Sequence, residues 1–349
     1  MSYSRILVRA ANWVGDAVMS LPALRAVRER FPQAHISVLA RPWVADLYAR
    51  ESFCDRLIPY TARPGAADFT GKLRIARQVR RERFDCAILL QNAFEAALIA
   101  WLARIPVRIG YDRDGRGPLL THAVAVPRPG DIPRHQRVYY LELLRRAGLI
   151  RSLPESEAIR LEGAGAAAQA GRRTFRAAGL GEVVIGVSPG AAYGSAKRWL
   201  PDRFAETACA VASGIGASVA VFGADDEREL SSQVAALISS RGVSVRNFAG
   251  ETSLAQFIEM AAACYAFLTN DSGAMHIASA AGTPTVAIFG ATDHAATGPT
   301  GPNARVIREP VECSPCLLRE CPIDHRCMTA VAAARVAETA LELAREVRN

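Results

Sequence analysis

Short apolar segments alternate along the chain with longer segments in which apolar residues recur at helical spacing. The first apolar run is Ile6, Leu7 and Val8, and the segment 17–31 that follows places apolar residues three positions apart. Runs of the first kind predict buried strands, and spacing of the second kind predicts amphipathic helices. A repeated order of strand and helix predicts an α/β fold with parallel sheets.

Two such series follow one another. In the first, the predicted strands are 4–9, 35–40, 56–60, 85–90, 107–111 and 123–126, and the predicted helices are 17–31, 73–83 and 135–147. In the second, the predicted strands are 183–187, 218–222, 247–249, 265–269, 285–289 and 305–307. Between them, the segment 154–171 is rich in Glu, Gly and Ala and is predicted to be a linker with some helix.

The length of 349 residues fits two domains better than one core. We predict one Rossmann-like domain at 1–160, a second at 172–327, and a C-terminal amphipathic helix at 328–349 whose candidate packing partner is the N-terminal domain. Ligands of such sheets bind beyond the carboxyl ends of the strands. Two domains with their sheets facing across a cleft would therefore bind their ligand in that cleft.

Several common classes are disfavoured by what the sequence lacks. No Gly-x-Gly-x-x-Gly follows the first strand of either series, and no Walker lysine loop occurs. The apolar stretch 96–103 is far shorter than the roughly 20 residues that cross a bilayer. Arg5, Arg9 and Asp16 interrupt the first apolar segment and its surroundings, which is unlike a signal peptide. We therefore predict a cytoplasmic protein.

The net charge of +8 is unevenly distributed. Residues 1–160 hold 26 Lys and Arg against 15 Asp and Glu, a net +11, whereas the remainder carries −3. A basic half indicates an acidic partner: nucleic acid, an anionic membrane face or a phosphorylated substrate. The alternative is a solvated, arginine-rich surface. Nucleic acid is disfavoured because no basic motif is interleaved with aromatic residues and no nucleic-acid-binding module is recognisable.

An anion site is predicted at 269–276, where the apolar strand 266–268 ends in polar residues. Asp271, Ser272 and Gly273 form a turn into a helix, with Asp271 or Ser272 as candidate caps. Free amides at that helix end and its dipole suit a diphosphate, and His276 follows about one turn later. The alternative is an ordinary capped joint between strand and helix.

Two further positions could carry chemistry. Lys197 lies in the segment 188–201, which follows the first strand of the second series, and with Arg198 it could neutralise phosphate charge. Asp16 is predicted to lie in the loop 10–16, at the N-terminus of the first helix, where it is either a capping carboxylate or a general base close to a substrate hydroxyl.

Eight cysteines fall into two groups. Four occur singly in apolar segments and are predicted to be core residues: Cys54, Cys86, Cys209 and Cys264. Four others cluster near the C-terminus: Cys313, Cys316, Cys321 and Cys327. Their composition would suit zinc or an iron–sulfur cluster, but the intervening two, four and five residues are not a common zinc pattern. We favour reduced thiols and predict no metal.

The motifs at 9–16, 197–199 and 270–276, with the cysteine cluster after them, occur in this order along nearly the whole chain. Together they resemble the ADP-heptose:lipopolysaccharide heptosyltransferases of glycosyltransferase family 9, and most closely the heptosyltransferase II branch. The resemblance implies the two-domain GT-B fold and transfer with inversion, without an obligatory metal or cofactor. It implies ADP-L-glycero-D-manno-heptose as the donor, held by the C-terminal domain. The implied acceptor is the anionic lipopolysaccharide inner core, reached by peripheral contact with the cytoplasmic face of the inner membrane.

The resemblance also assigns roles to residues. Asp16 falls on the general base and Lys197 on the diphosphate-binding lysine. The donor-binding turn falls on Asp271, Ser272, Gly273 and Ala274, with His276 beside it. The rival functions are another GT-B sugar-nucleotide enzyme, such as a different glycosyltransferase or a nucleotide-sugar 2-epimerase, and a basic nucleic-acid-binding protein.

Some positions stay open at this stage. The loop before Lys197 has Ala191, Ala192 and Tyr193 where family members often have hydroxyl residues, and only Ser195 offers one. The acidic residue expected at the ribose or adenine is one of three: Asp225, Asp226 and Glu227. The acceptor-binding cations are expected within 72–83 and 104–116.

Overall fold

The computed structural model describes residues 2–63, 68–156 and 158–348. The chain divides into two compact units, Met1–Ser156 and Glu157–Asn349. Each contains one six-stranded parallel sheet. The predicted limits 1–160, 172–327 and 328–349 stay predictions about which segments fold independently.

The first unit has the strand order β3-β2-β1-β4-β5-β6. Its strands are β1 (Arg5–Arg9), β2 (His35–Ala40), β3 (Arg56–Pro59), β4 (Cys86–Leu89), β5 (Val107–Tyr111) and β6 (His122–Val124). Its helices are α1 (Val14–Arg30), α2 (Pro42–Tyr48), α3 (Phe69–Arg81), α4 (Phe94–Leu102) and α5 (Gln136–Arg146). Strands in the middle of a parallel sheet are covered on both faces, which fits the wholly apolar and buried β4 and the buried apolar centre Ile6–Val8 of β1.

The second unit has the order β12-β11-β10-β7-β8-β9. Its strands are β7 (Val184–Ser188), β8 (Ser218–Val221), β9 (Val245–Asn247), β10 (Ala266–Asn270), β11 (Thr285–Ile288) and β12 (Ala304–Ile307). Its helices are α6 (Ala164–Ala177), α7 (Pro201–Ile215), α8 (Arg228–Ser239), α9 (Leu254–Ala263), α10 (Gly273–Ala280), α11 (His294–Thr297), α12 (Arg326–Thr329) and α13 (Ala333–Arg348).

The structure adds detail to two predicted segments. The segment 154–171, predicted as a linker with some helix, contains the first half of α6, which packs on α9. This packing requires Gly171, because a Cβ there would lie 2.1 Å from the carbonyl oxygen of Glu259. The C-terminal helix α13 packs on α7 within the second unit, where Thr207 Oγ1 also donates to the Ala333 carbonyl at 3.2 Å.

The register of each sheet brings particular loops together. Arg9 at the end of β1 pairs with Leu39 of β2 and Leu89 of β4, so these strands end at the same level. In the second unit, Thr269 of β10 pairs with Ser188 of β7 and with Ala287 of β11. The loops that follow β7, β10 and β11 therefore meet at one edge of the sheet. Among the helices of the described residues, none is long and apolar enough to cross a bilayer.

Candidate active site

The turn between β10 and α10 leaves helix amides available. Ser272 is the N-cap residue in extended conformation, and within the described chain its side chain makes no capping hydrogen bond. Its hydroxyl lies 3.2 Å from that of Thr269 instead. The described hydrogen bonds of the Asp271 carboxylate go to Lys197 and Thr292 in other loops, and not to the amides of α10. The expectation of a side-chain cap at this turn is therefore wrong, and the first amides of α10 are available to donate hydrogen bonds to an anion.

Lys197 reaches this turn through an ion pair. Its Nζ donates to Asp271 Oδ2 at 2.6 Å, and Thr292 Oγ1 donates to the same oxygen at 2.6 Å. The side chains of Lys197 and Asp271 are only 13% and 5% exposed. The ammonium also lies 4.9 Å from the centre of the Tyr193 ring. Three loops thus fix one cation close to the start of α10.

Asn270 joins the loops after β7 and β10. Its fully buried side chain accepts from the backbone N–H of Trp199 at 2.9 Å and donates to the Pro189 carbonyl at 2.7 Å. Asn270 belongs to the motif 270–276, but no role was predicted for it. The structure shows that it holds the segment 189–199, and with it Lys197, against the end of β10.

The segment 313–327 supports the Lys197 loop from the other side. The Arg319 carbonyl accepts from the backbone N–H of Ala196 at 2.9 Å, and the Tyr193 hydroxyl donates to the Leu317 carbonyl at 2.8 Å. A Cβ on Gly194 would lie 2.2 Å from the Arg319 carbonyl oxygen, so only glycine permits this approach. The cysteine-rich segment therefore positions the loop that carries Lys197.

Cys313, Cys316, Cys321 and Cys327 line one small cavity of about 70 Å³ together with His325. Burial, together with the neighbouring thiols, raises the pKa of Cys327 to about 11. All four are free cysteines. In the described ranges, no group of three or more His, Cys, Asp or Glu side chains is arranged to hold a metal ion. The interpretation of these residues as reduced thiols without a metal stays a prediction.

The other residues of the predicted donor turn are placed as follows. Ser272, Gly273 and Ala274 are half-buried at the start of α10 and leave part of their surface open. His276 is only 5% exposed and lies one turn further along the helix. The structure thus brings Lys197 and Asp271 into direct contact, with the turn 272–274 beside Asp271 in the chain.

The three acidic residues after β8 are now distinguishable. Asp225 is 86% exposed and pairs with Arg228 at 2.6 Å, and Asp226 is exposed as well. Glu227 is 9% exposed, and its Oε2 accepts from the Ala224 N–H at 3.0 Å. A Cβ on Gly190 would lie 2.1–2.3 Å from atoms of the Glu227 carboxyl group. Glu227 is therefore the acidic residue that lies against the loop after β7.

Asp16 lies in the first unit as the third residue of α1, so it belongs to the first helical turn and not to the loop before it. The Tyr140 hydroxyl on α5 donates to Asp16 Oδ1 at 3.0 Å. The loop before α1 is fixed as well, because Arg9 Nη2 donates to Asn12 Oδ1 at 2.9 Å and Trp43 Nε1 donates to the Asn12 carbonyl at 2.8 Å. A carboxylate in a first turn is stabilised by the helix dipole.

Several cations of the first unit are buried, among them Arg9 and Arg41 at the carboxyl ends of β1 and β2. Arg9 and Arg41 lie 4.5 and 4.1 Å from the centre of the Tyr60 ring, and burial lowers the pKa of Arg9 to about 10. Glu95 lies 3.7 Å from Arg41 and 3.8 Å from Lys72. Both Arg9 and Lys72 donate to backbone carbonyls. These groups stabilise strand ends and loops.

Arg116 belongs to the same class. It is fully buried, and it donates to the Tyr111 carbonyl at 2.8 Å, to Asn92 Oδ1 at 2.9 Å and to the Gln91 carbonyl. Of the two segments predicted to bind the acceptor, the exposed cations are Arg74, Arg77, Arg80, Arg81, Arg83, Arg104 and Arg113. That these two segments bind the acceptor stays a prediction.

The chain is similar in sequence and in structure to known heptosyltransferases. The family model described as glycosyltransferase family 9 (heptosyltransferase) matches residues 72–326. Lipopolysaccharide heptosyltransferase 2 of Salmonella typhimurium is 34% identical, over 87% of this chain and 88% of that protein. The Escherichia coli protein of the same name is 33% identical over the same shares. The solved structure of E. coli ADP-heptose lipopolysaccharide heptosyltransferase II has a TM-score of 0.83 and 29% identity, covering 99% of this chain and all of that one.

The chain has two parallel Rossmann-like sheets, and Lys197 is held by Asp271 beside the open N-terminus of α10. Together with the similarity to the solved heptosyltransferase II structure, these features define a glycosyltransferase of the two-domain GT-B class. The chain belongs to glycosyltransferase family 9, the heptosyltransferase family. The predicted fold class, the predicted family and the prediction of a heptosyltransferase are thereby confirmed. The individual roles stay predictions for Asp16, Lys197, Asp271, Ser272, Gly273, Ala274 and His276.

Proposed function

We propose that this protein transfers L-glycero-D-manno-heptose from ADP-heptose to the heptose of the lipopolysaccharide inner core, with inversion at the transferred carbon. The observation that supports this most strongly is the Lys197–Asp271 ion pair at the open end of α10, in a chain that is similar to lipopolysaccharide heptosyltransferase 2 over most of its length.

The second unit would hold the donor. The Lys197 ammonium and the amides of Ser272–Ala274 neutralise the diphosphate as ADP departs, which a metal does in many other transferases. Asp271 and Asn270 keep the lysine and its loop in place before the donor binds. Because preorganised charge needs no rearrangement during the reaction, such an arrangement favours the transition state. Glu227, which lies against Gly190, is the candidate for the ribose hydroxyls.

Asp16 would act as the general base. The acceptor hydroxyl gives its proton to the Asp16 carboxylate while its oxygen forms the new bond to the anomeric carbon. The bond from that carbon to the diphosphate breaks, and ADP leaves with the electron pair. The roles require an ionised Asp16, which the first turn of α1 favours.

The acceptor is an anionic glycolipid, and we propose that the first unit approaches it at the cytoplasmic face of the inner membrane. Four large aromatic residues, 47–62% exposed, support this: Trp13, Trp43, Phe69 and Phe94. We call them the aromatic rim. Each lies where a helix begins after one of the neighbouring strands β3, β2, β1 and β4, at the carboxyl edge of the sheet. Aromatic side chains favour the membrane–water interface.

The donor is tested by calorimetric titration with ADP and then UDP, without added metal. We expect ADP to bind more tightly than UDP, and Lys197→Ala to weaken ADP binding. Transfer is tested by ADP release that depends on a lipopolysaccharide acceptor ending in its first heptose. A preference for UDP would favour another sugar-nucleotide enzyme of the same class, and ADP binding without acceptor-dependent release would exclude the proposed acceptor.

The membrane contact is tested by cosedimentation with vesicles that contain phosphatidylglycerol. The double substitution of Phe69 and Phe94 by Ser should reduce the bound fraction, because it removes apolar surface from the aromatic rim. The matched control is Ile323→Ser, which removes a side chain of similar exposure (57%) in the second unit. Equal losses in both variants, or no binding by the wild type, would contradict the proposed membrane face.

A further inference from the structure

Tyr140 contacts Asp16 although the two residues are 124 positions apart in the sequence. The phenol oxygen lies 3.0 Å from Asp16 Oδ1. Tyr140 is 4% exposed on α5, which packs on α1, whereas Asp16 is half-buried. The contact therefore joins a fixed, buried donor to a carboxylate that substrate can reach from solvent.

We propose that Tyr140 is a positioning residue for the transfer reaction: its hydroxyl holds the Asp16 carboxylate in the orientation in which it accepts the proton of the acceptor hydroxyl. This inference rests on the proposed role of Asp16 as the general base. Tyr140 acts through Asp16, and it contacts neither substrate.

The direction of the hydrogen bond follows from the chemistry of the two groups. An ionised carboxylate only accepts hydrogen bonds, so the phenol donates. Burial raises the pKa of Tyr140 well above its usual value, and the Asp16 charge and the hydrogen bond raise it further. Tyr140 therefore keeps its proton at any pH at which the enzyme works, and it remains a donor.

The surroundings hold the phenol in place. Tyr140 packs against Tyr139 with ring centres 6.1 Å apart, and its ring is buried on α5 where that helix packs on α1. A side chain with two rotatable bonds, buried on a packed helix, has little freedom to move. A base must lie within hydrogen-bonding reach of its proton in the right orientation, and small displacements reduce the rate steeply.

Tyr140→Phe removes the hydroxyl and keeps the ring. We expect kcat to fall by about 10- to 100-fold, the range for a lost hydrogen bond to a charged group, while the KM for ADP-heptose and the affinity for ADP stay unchanged. The matched control is Tyr111→Phe, because the Tyr111 hydroxyl is equally buried in the same unit but donates to the Tyr139 carbonyl at 2.8 Å. The control should lose stability but keep its kcat.

A double variant separates positioning from general structural damage. In an Asp16→Asn background the base is already lost, so adding Tyr140→Phe should leave the residual rate within about twofold. If the two effects multiply instead, or if Tyr140→Phe loses no more activity than Tyr111→Phe, Tyr140 does not act through Asp16. If Asp16→Asn alone keeps its activity, the base assignment fails first; an inactive Asp16→Asn with a normal Tyr140→Phe overturns only this inference.

Discussion

Removal of the Lys197 side chain should have two separable effects, one on folding stability and one on ADP binding. The Asp271 carboxylate is 5% exposed and would keep only Thr292 as a described side-chain donor. Loss of one partner from a buried ion pair destabilises by about 3–5 kcal/mol. Because Lys197 is 13% exposed and Thr292 remains, we expect Lys197→Ala to lower the free energy of unfolding by about 2–3 kcal/mol.

Asp271→Ala should cost less, about 1–2 kcal/mol, because the freed ammonium can turn toward solvent. The double variant removes both charges, so its cost should be well below the sum of the two single costs. The expected coupling is at least about 1 kcal/mol, read from urea unfolding of the four proteins. The control pair is Arg203 and Glu206 on α7, whose charged atoms are 3.6 Å apart on the surface and should couple by less than about 0.5 kcal/mol.

The effect on ADP is measured by calorimetry on the same proteins. A hydrogen bond from an ammonium to phosphate contributes roughly 1.5–3 kcal/mol, so Lys197→Ala should weaken ADP binding about 10- to 150-fold. The Arg203→Ala control should bind ADP like the wild type. Additive unfolding energies at Lys197 and Asp271 together with unchanged ADP affinity in Lys197→Ala would refute the assignment of this ion pair to the donor site.

Two further predictions concern the segment that supports the Lys197 loop. Gly194→Ala should weaken ADP binding at least about tenfold, because its Cβ would overlap the Arg319 carbonyl oxygen, whereas Gly165→Ala, whose Cβ would meet no described atom within 4 Å, should bind ADP normally. Because the pKa of Cys327 is about 11, only about one in a thousand of its thiols is ionised at pH 8. Iodoacetamide should therefore modify the half-exposed Cys316 far sooner than Cys327, which should react only as the pH rises. If Cys316 is protected and a chelator removes that protection, the cluster binds a metal.

Strand positions were predictable because their signal is local. Buried strands such as β1 and β10 are short, apolar and bounded by polar residues, so the sequence marks them directly. Helix starts were less accurate: α1 begins at Val14, three residues before the predicted start, because Gly15 interrupts the helical pattern without ending the helix. The short helix α2 was missed although Pro42 at its first position is a typical start signal.

The chemistry of the site was only partly predictable for a different reason. Lys197 and Asp271 are 74 positions apart, and Asp16 and Tyr140 are 124 apart, so no spacing rule connects either pair. The motifs identified Lys197, Asp271 and Asp16 as separate residues, whereas the fold showed that Lys197 contacts Asp271 and that Asp16 contacts Tyr140. Sequence alone likewise does not distinguish Glu227 from Asp225 and Asp226 as the candidate for the ribose. Only the structure shows that Glu227 is buried and lies against Gly190.

The net charge of the first 160 residues overstates the positive charge at the surface. The net +11 of residues 1–160 suggested a surface for an anionic partner, yet four of these cations are at most 4% exposed: Arg9, Arg41, Lys72 and Arg116. Each donates to backbone carbonyls, so a substitution there would destabilise the fold before it reported on binding. The charge that an acceptor can meet must come from exposed groups near the carboxyl edge of the sheet. Arg113, two residues after β5, meets this condition, whereas Arg81 ends α3 at the opposite edge because helices run antiparallel to the strands they follow. Net charge per domain therefore gives the sign of a partner, and only burial and position along the strands tell which arginines can contact it.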